Sequence, residues 1–256
     1  MPYPAHVSDT AYCYDGSFAG FLCCIFESYT RREIPSAVLG PSEGQTTLFG
    51  LKTIPTDPAH AKRVVGGLTR LGPMVKERVT IGFLSTEEEK DLILLRFVRC
   101  CFDKGPRAVQ MLGDPDVSAA FALERSIRNE ACHFTEFLRF EERDGMLGAI
   151  IHPKSNVLPM LRGHFCSRRL PDEDFLIFDA THGTALLRQH GRVQYLAMEH
   201  YTPASDADEL NWQDLWKRFF HALTIEERRN AKAQMNHAPK CFWQDMVEMR
   251  EPYAGL

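Results

Sequence analysis

Glu130 and His133 stand three residues apart, a spacing that sets a carboxylate and an imidazole on one face of a helix, where they can share a proton or a metal ion. His164, together with Asp179 or His182, would complete an acid–base or metal site if the elements carrying them meet that helix. A carboxylate-bridged metal centre uses two facing Glu-x-x-His copies, and this chain has one. The structural alternative makes Glu130 and His133 a pair that positions a long helix. Asp179 would then end a strand by bonding the backbone of Thr181 or His182 in a turn.

A second set of residues suits anion recognition. Arg139, Arg162, Arg168, Arg169, Arg228, Arg229 and Lys232 have Phe140, Phe165 and Trp243 for aromatic neighbours. Guanidinium forks meet phosphate oxygens in pairs, and both guanidinium planes and aromatic rings stack on bases. Residues 216–240 hold six Lys or Arg against two Glu, and residues 160–170 hold three Arg with no acid. Each arginine also has a plain reading as a solvated charge or an ion-pair partner, with Glu136, Glu141 and Asp172 in sequence reach of Arg139 and Arg168. Trp243 lies on an apolar stripe, which favours a core position over base stacking.

Familiar reaction motifs are missing. Cys13, Cys23, Cys24, Cys100, Cys101, Cys132, Cys166 and Cys241 include no C-x-x-C pair and no C-x-x-x-C-x-x-C triplet, so neither a shared zinc nor a radical SAM cluster is implied. Cys23–Cys24 and Cys100–Cys101 fall in apolar helical segments and read as small core hydrophobes. The glycines form no G-x-G-x-x-G or phosphate loop, no G-x-S-x-G elbow occurs, and the His-x-Glu with Cys-x-x-Cys of zinc deaminases is absent. No cofactor follows from the sequence.

These residues must be positioned by elements legible in the pattern. A strand at 11–14 leads through Asp15-Gly16 to Ser17, which caps a helix with Phe18, Phe21, Leu22, Ile25, Phe26 and Tyr29 at burial spacing. Residues 35–44 read as loop, 46–54 as strand, and Pro58 opens a helix to about Leu71. Ser85 and Glu88 form a capping box before another helix, and Asp114-Pro115 begins one that runs towards Phe137. The period then changes. Residues 137–143 and 146–152 flank Asp144-Gly145, a hairpin signal; 155–168 read as a helix crossing the sheet; 175–179, 184–189 and 192–198 read as strands, with His190-Gly191 a tight turn.

Beyond the acidic loop at 204–209, Trp212, Leu215, Trp216, Phe219, Phe220 and Leu223 recur at three- and four-residue steps and predict a helix that buries one face. Thr224 with Glu227 is a capping-box signature for a basic helix at 225–234, and Phe242, Trp243, Met246 and Val247 supply a stripe that could fold it back on the body. The pattern predicts an α+β chain. An antiparallel sheet of about five strands in the second half is packed by helices from the first half and the C-terminus. A division at 1–84 and 85–256 is expected, either as two lobes or as one continuous domain.

Ile225-x-x-Arg228-x-Asn230, Gln234, Pro239-Lys240-x-x-Trp243 and Glu248 resemble the C-terminal signature of a bacterial domain-of-unknown-function family described as a probable DNA metabolism protein. Tyr14-Asp15-Gly16-Ser17-Phe18, Phe83-Leu84-Ser85, Phe137-x-Arg139-Phe140 and His164-Phe165 with Arg168 and Arg169 extend the resemblance over most of the chain. Cys241 departs from it, standing where a basic residue is expected. The resemblance implies a gene beside a radical SAM protein of DNA modification or repair, and in some members a fused uracil-DNA glycosylase domain. The short tail after the signature is similar to the unfused form.

The formal net charge of -4 excludes coating of nucleic acid by bulk electrostatics, so any phosphate-binding surface is local. No apolar run reaches a membrane span and no leader is evident, which leads to the expectation of a soluble, cytoplasmic protein. Three functional readings follow. One is a DNA metabolism or repair accessory that presents DNA or a damaged base to a radical SAM enzyme or glycosylase. Another is an enzyme built on Glu130, His133 and His164. The last is a protein-only partner of the radical SAM protein.

Overall fold

A computed structural model of the chain describes residues 6–41, 50–143, 145–170, 172–202, 207–225, 228 and 230–249. The chain forms two compact units, Met1–Ile127 and Arg128–Leu256.

In the first unit, β1 (His6–Val7), β2 (Thr10–Cys13) and α1 (Phe18–Arg31) are followed by β3 (Glu33–Ile34), β4 (Ala37–Leu39) and β5 (Gly50–Thr53). β2 lies between β4 and β5, parallel to both, and β1 pairs with β3. The loop expected at 35–44 thus contains β4, and residues 42–49 lie outside the described residues. Ser17 caps α1 by accepting from the Gly20 amide at 3.0 Å, and its own hydroxyl and amide donate to Asp15. α2 (Pro58–Leu71) starts behind Asp57, whose carboxylate accepts from the Ala59 and His60 amides.

α3 (Pro73–Gly82) follows Gly72 and has no clear sequence stripe. α4 (Lys90–Lys104) begins later than Ser85 and Glu88 suggest. The Ser85 hydroxyl closes a turn on the Glu87 amide instead of capping the helix. The core joins Phe21, Leu22 and Ile25 of α1 to Leu94, Leu95 and Phe97 of α4, and Cys23, Cys24, Cys100 and Cys101 are buried within it. Burial pushes the Cys101 thiol up to about 12, as expected of a packing residue. α5 (Pro115–Phe137) is capped by Asp114, and the division between the units falls within its sequence.

The second unit is built on one sheet: β6 (Glu141–Arg143), β7 (Met146–Ile151), β8 (Phe175–Asp179), β9 (Thr184–Gln189) and β10 (Arg192–Ala197), in the order β10-β9-β8-β7-β6. Three pairings are antiparallel, and β7–β8 is parallel. The parallel pair follows from the crossover through α6 (Leu158–His164) and a π-helical turn, Phe165–Arg169. The expected all-antiparallel sheet is therefore mixed, within an α+β fold. Asp144 lies outside the described residues, but the strands it joins pair as a hairpin.

β8 reads as an unbroken apolar run because both of its faces are covered. Phe175 and Ile177 pack with Phe134, Leu158, Leu161 and Phe242, while Leu176 and Phe178 pack with Ala185 on the other face. His190 (φ 50) and Gly191 (φ 73) both take the left-handed conformation that a two-residue type I′ hairpin demands.

The C-terminal helices correct two expectations. α7 (Ala207–Leu223) forms, but Trp212, Leu215, Phe219 and Leu223 remain exposed. Its side nearer the sheet is marked by Glu209, which is buried and paired with Arg139. α8 (Ala231–His237) begins six residues later than the expected basic helix. The Thr224 hydroxyl donates back to the Phe220 carbonyl, and at the start of α8 it is the Asn230 side chain that accepts from the Ala233 amide. Glu227 lies outside the described residues. Two 3-10 turns, Lys240–Asp245 and Val247–Met249, then bury Phe242, Met246 and Val247. No helix among the described residues is long and apolar enough to cross a membrane.

Candidate functional site

The second unit encloses a groove of about 990 Å³. Its walls come from six places in the sequence: Phe137, Arg139 and Phe140 at and after the end of α5, Leu147 on β7, His164 and Phe165 at the α6 turn, Trp216 and Phe220 on α7, Gln234 and His237 on α8, and Met246 and Glu248 from the last turns. Phe140 stands edge-on to Phe165 at 5.3 Å and to Phe175 at 5.8 Å, which fixes its ring from beneath. The Trp216 indole donates to Glu248 Oε2 at 2.9 Å, and the Gln234 amide lies 3.8 Å from Met249 Sδ. Arg139 is held by Glu209 at 2.5 Å, and Glu209 also accepts from Gln213. Aromatic faces beside an amide, two imidazoles and a carboxylate can stack a planar heterocycle and hydrogen-bond its edge.

Of the residues read as nucleic-acid contacts, Arg139 lines this groove, though its ion-pair partner is Glu209 and not Glu136, Glu141 or Asp172. Arg162 is exposed, near Tyr195. Arg168 and Arg169 lie in the π-helical turn, and their side chains, like Arg229, lie outside the described residues. Arg228 and Lys232 are exposed, the latter on the helix that brings Gln234 and His237 to the groove. Phe165 is buried, and Trp243 is half-buried with its indole donating to the Ala238 carbonyl at 2.9 Å, an anchoring role.

The acid–base residues fall in more than one place, with Glu130 near the Asp179–His182 pair and His133 and His164 packed on Phe242 and Phe165. Glu130 spends both carboxylate oxygens on the amides of Lys154 and Ser155, bracing the chain that leads into α6. His133 stacks on Phe137 at 5.8 Å and leans on Phe242, with its Nδ1 3.9 Å from Glu136. His164 stands edge-on to Phe165 at the groove. Asp179 folds the expected turn, accepting from the Thr181 and His182 amides at 3.0 Å, and its other oxygen lies 2.6 Å from His182 Nδ1. That carboxylate holds the His182 imidazolium above the usual histidine range, with Glu130 adding to the effect. Among the described residues, no group of three or more His, Cys, Asp or Glu side chains is gathered as a metal ion requires.

One pair had no signal in the sequence. His152 Nδ1 lies 2.7 Å from Asp245 Oδ1, and the His152 amide donates to the other oxygen. Together with Arg139, Glu141 and Gln244 they border a second hollow of about 200 Å³. The partners are 93 residues apart and meet only because the final turns pack on the end of β7.

A family model described as a domain of unknown function, DUF4130, matches residues 88–248 of the chain. No curated protein and no solved structure matches it.

Proposed function

From the premise that the chain belongs to the domain-of-unknown-function family DUF4130, we propose that it is a DNA metabolism accessory protein that holds a base or a short stretch of single-stranded DNA in the groove of its second unit. The observation that carries this reading is the groove itself: Trp216, Phe220, Phe137 and Phe140 offer ring faces, and Gln234, His164, His237 and Glu248 offer edge-reading groups. Stacking on an aromatic ring is worth about 1–3 kcal/mol per base, enough to retain a strand without a strongly basic surface. Arg228 and Lys232 are exposed and supply charge on the α8 side. The resemblance of the sequence to a family encoded beside a radical SAM protein supports a role in delivering DNA to such an enzyme or to a glycosylase.

Fluorescence anisotropy with labelled single- and double-stranded DNA across a salt series tests the reading. Salt-sensitive binding that favours single strands is expected, with quenching of tryptophan emission as bases stack. Replacing Arg228, Arg229 and Lys232 together by alanine should weaken binding across sequences and flatten its salt dependence. Phe220→Ala should weaken it without changing the salt slope. Absence of binding to either strand form sinks the reading, and retained binding to the radical SAM protein in that case would favour the protein-only role.

A further inference from the structure

The groove of the second unit is aromatic and acidic. Among the described residues that line it, the one lysine or arginine is Arg139, whose guanidinium is already engaged with Glu209. Two carboxylates stand against it. Glu136 is exposed and accepts from Cys132 Sγ at 3.5 Å, and Glu248 is half-buried and accepts from the uncharged Trp216 indole at 2.9 Å. Neither is paired with a lysine or arginine among the described residues. A phosphate would need the reverse, unengaged guanidinium or ammonium groups. The indole N–H lies in the plane of its rings, so Glu248 stands at the edge of Trp216, and Trp216 is 41% exposed. An open ring face with a carboxylate at its edge attracts a planar cation, because the ring holds positive charge over its face and the carboxylate holds it from the side.

We propose that the base held in the groove is a positively charged, alkylated purine, with guanine methylated at N7 as the type. The inference rests on the DNA reading above and names the kind of base. Methylation at N7 puts a positive charge on the ring and leaves N1–H and the N2 amino group as adjacent donors on another edge. Those donors match the two oxygens of a carboxylate, the role of Glu248, while the Gln234 amide can donate to O6. Stacking on Trp216 gains from the charge, whereas an uncharged base has the stacking alone. Thymine and uracil carry carbonyl oxygens on both sides of their one ring N–H, which Glu248 repels. The groove volume of about 990 Å³ lies at the upper end of the roughly 300–1,000 Å³ that encloses small ligands, room enough for a purine nucleoside. An acidic groove is thereby compatible with a polyanion, since the base enters it and the phosphates do not.

Two binding assays on the full chain test it. One follows tryptophan emission with 7-methylguanosine monophosphate and with guanosine monophosphate. The other follows the anisotropy of a labelled single strand with one guanine methylated at N7 and of the same strand unmodified. The methylated form is expected to bind about tenfold more tightly in each. Glu248→Gln keeps an acceptor for the Trp216 indole and removes the charge, so it should bring that ratio close to one with an unchanged circular dichroism spectrum. Glu136→Gln, at an exposed position, should lower the ratio by less. Equal binding of the methylated and unmodified strands overturns the proposal and leaves the DNA reading standing. Absence of binding to any strand overturns both. A preference that survives Glu248→Gln and Glu136→Gln together overturns the role given to the carboxylates. Choline binding as tightly as the methylated nucleotide overturns the assignment to a purine, the groove then being a site for any organic cation.

Discussion

Glu130 and Asp179 use their carboxylates to hold backbone, and that gives the second unit a pH signature. The His182 pKa is raised by Asp179, so the stabilisation from this pair is complete below the ordinary histidine value of about 6.5 and is lost as pH rises through the raised folded value. Thermal melts should therefore show the wild-type midpoint falling between about pH 6 and 8 more steeply than that of His182→Gln. His182→Ala, which leaves the fully buried Asp179 without its imidazole, should cost about 1–3 kcal/mol in denaturant unfolding. In the first unit the buried Asp91 accepts from the Tyr14 hydroxyl at 2.8 Å, and burial pushes its carboxyl above the usual range. Tyr14→Phe removes that donor from an already costly group. A loss of about 1–3 kcal/mol is expected, greater at neutral than at acid pH, where a protonated Asp91 tolerates the change.

At the scale of elements, close approach sets the tolerances. A Cβ on Gly148 would overlap the Tyr201 hydroxyl, so Gly148→Ala must displace Tyr201 from the back of the sheet. A loss of about 1–3 kcal/mol in chemical denaturation is expected, recovered in part by adding Tyr201→Phe. Elements whose signals are local were legible in the sequence. Ser17 and Asp114 cap helices, Pro58 opens one, and His190-Gly191 turns a hairpin, through bonds or dihedrals within a few residues. Where a side chain can bond in either direction along the chain, reading falls short: Thr224 donates back to the Phe220 carbonyl, and the helix that follows begins at Ala231 behind the Asn230 cap. The groove was half legible for the same reason: Arg139, Phe140, His164 and Phe165 stand out as residue types, but their meeting with Trp216, Gln234 and Glu248 depends on packing over long sequence distances. The His152–Asp245 pair left no trace at all, because nothing near either residue announces the other.

The described residues form three core clusters. One joins α1 to α4 in the first unit, and the others lie on the two faces of the second unit's sheet. Calorimetry should resolve two unfolding transitions, with Leu94→Ala lowering one and Ile177→Ala the other, each by about 2–5 kcal/mol of local stability. The parallel seam between β7 and β8 has a kinetic consequence. β8, β9 and β10 follow one another through short turns, and β6 and β7 form a hairpin, so each piece can assemble from neighbours in the chain. Joining them requires the crossover through α6 to close first, a long loop whose entropy must be overcome before any contact rewards it. Refolding should therefore protect the amides of β9 and β10 from exchange early and those along the β7–β8 seam late. The chain would pass through an interval in which β8, buried along its whole length in the finished sheet, has one edge open to other molecules.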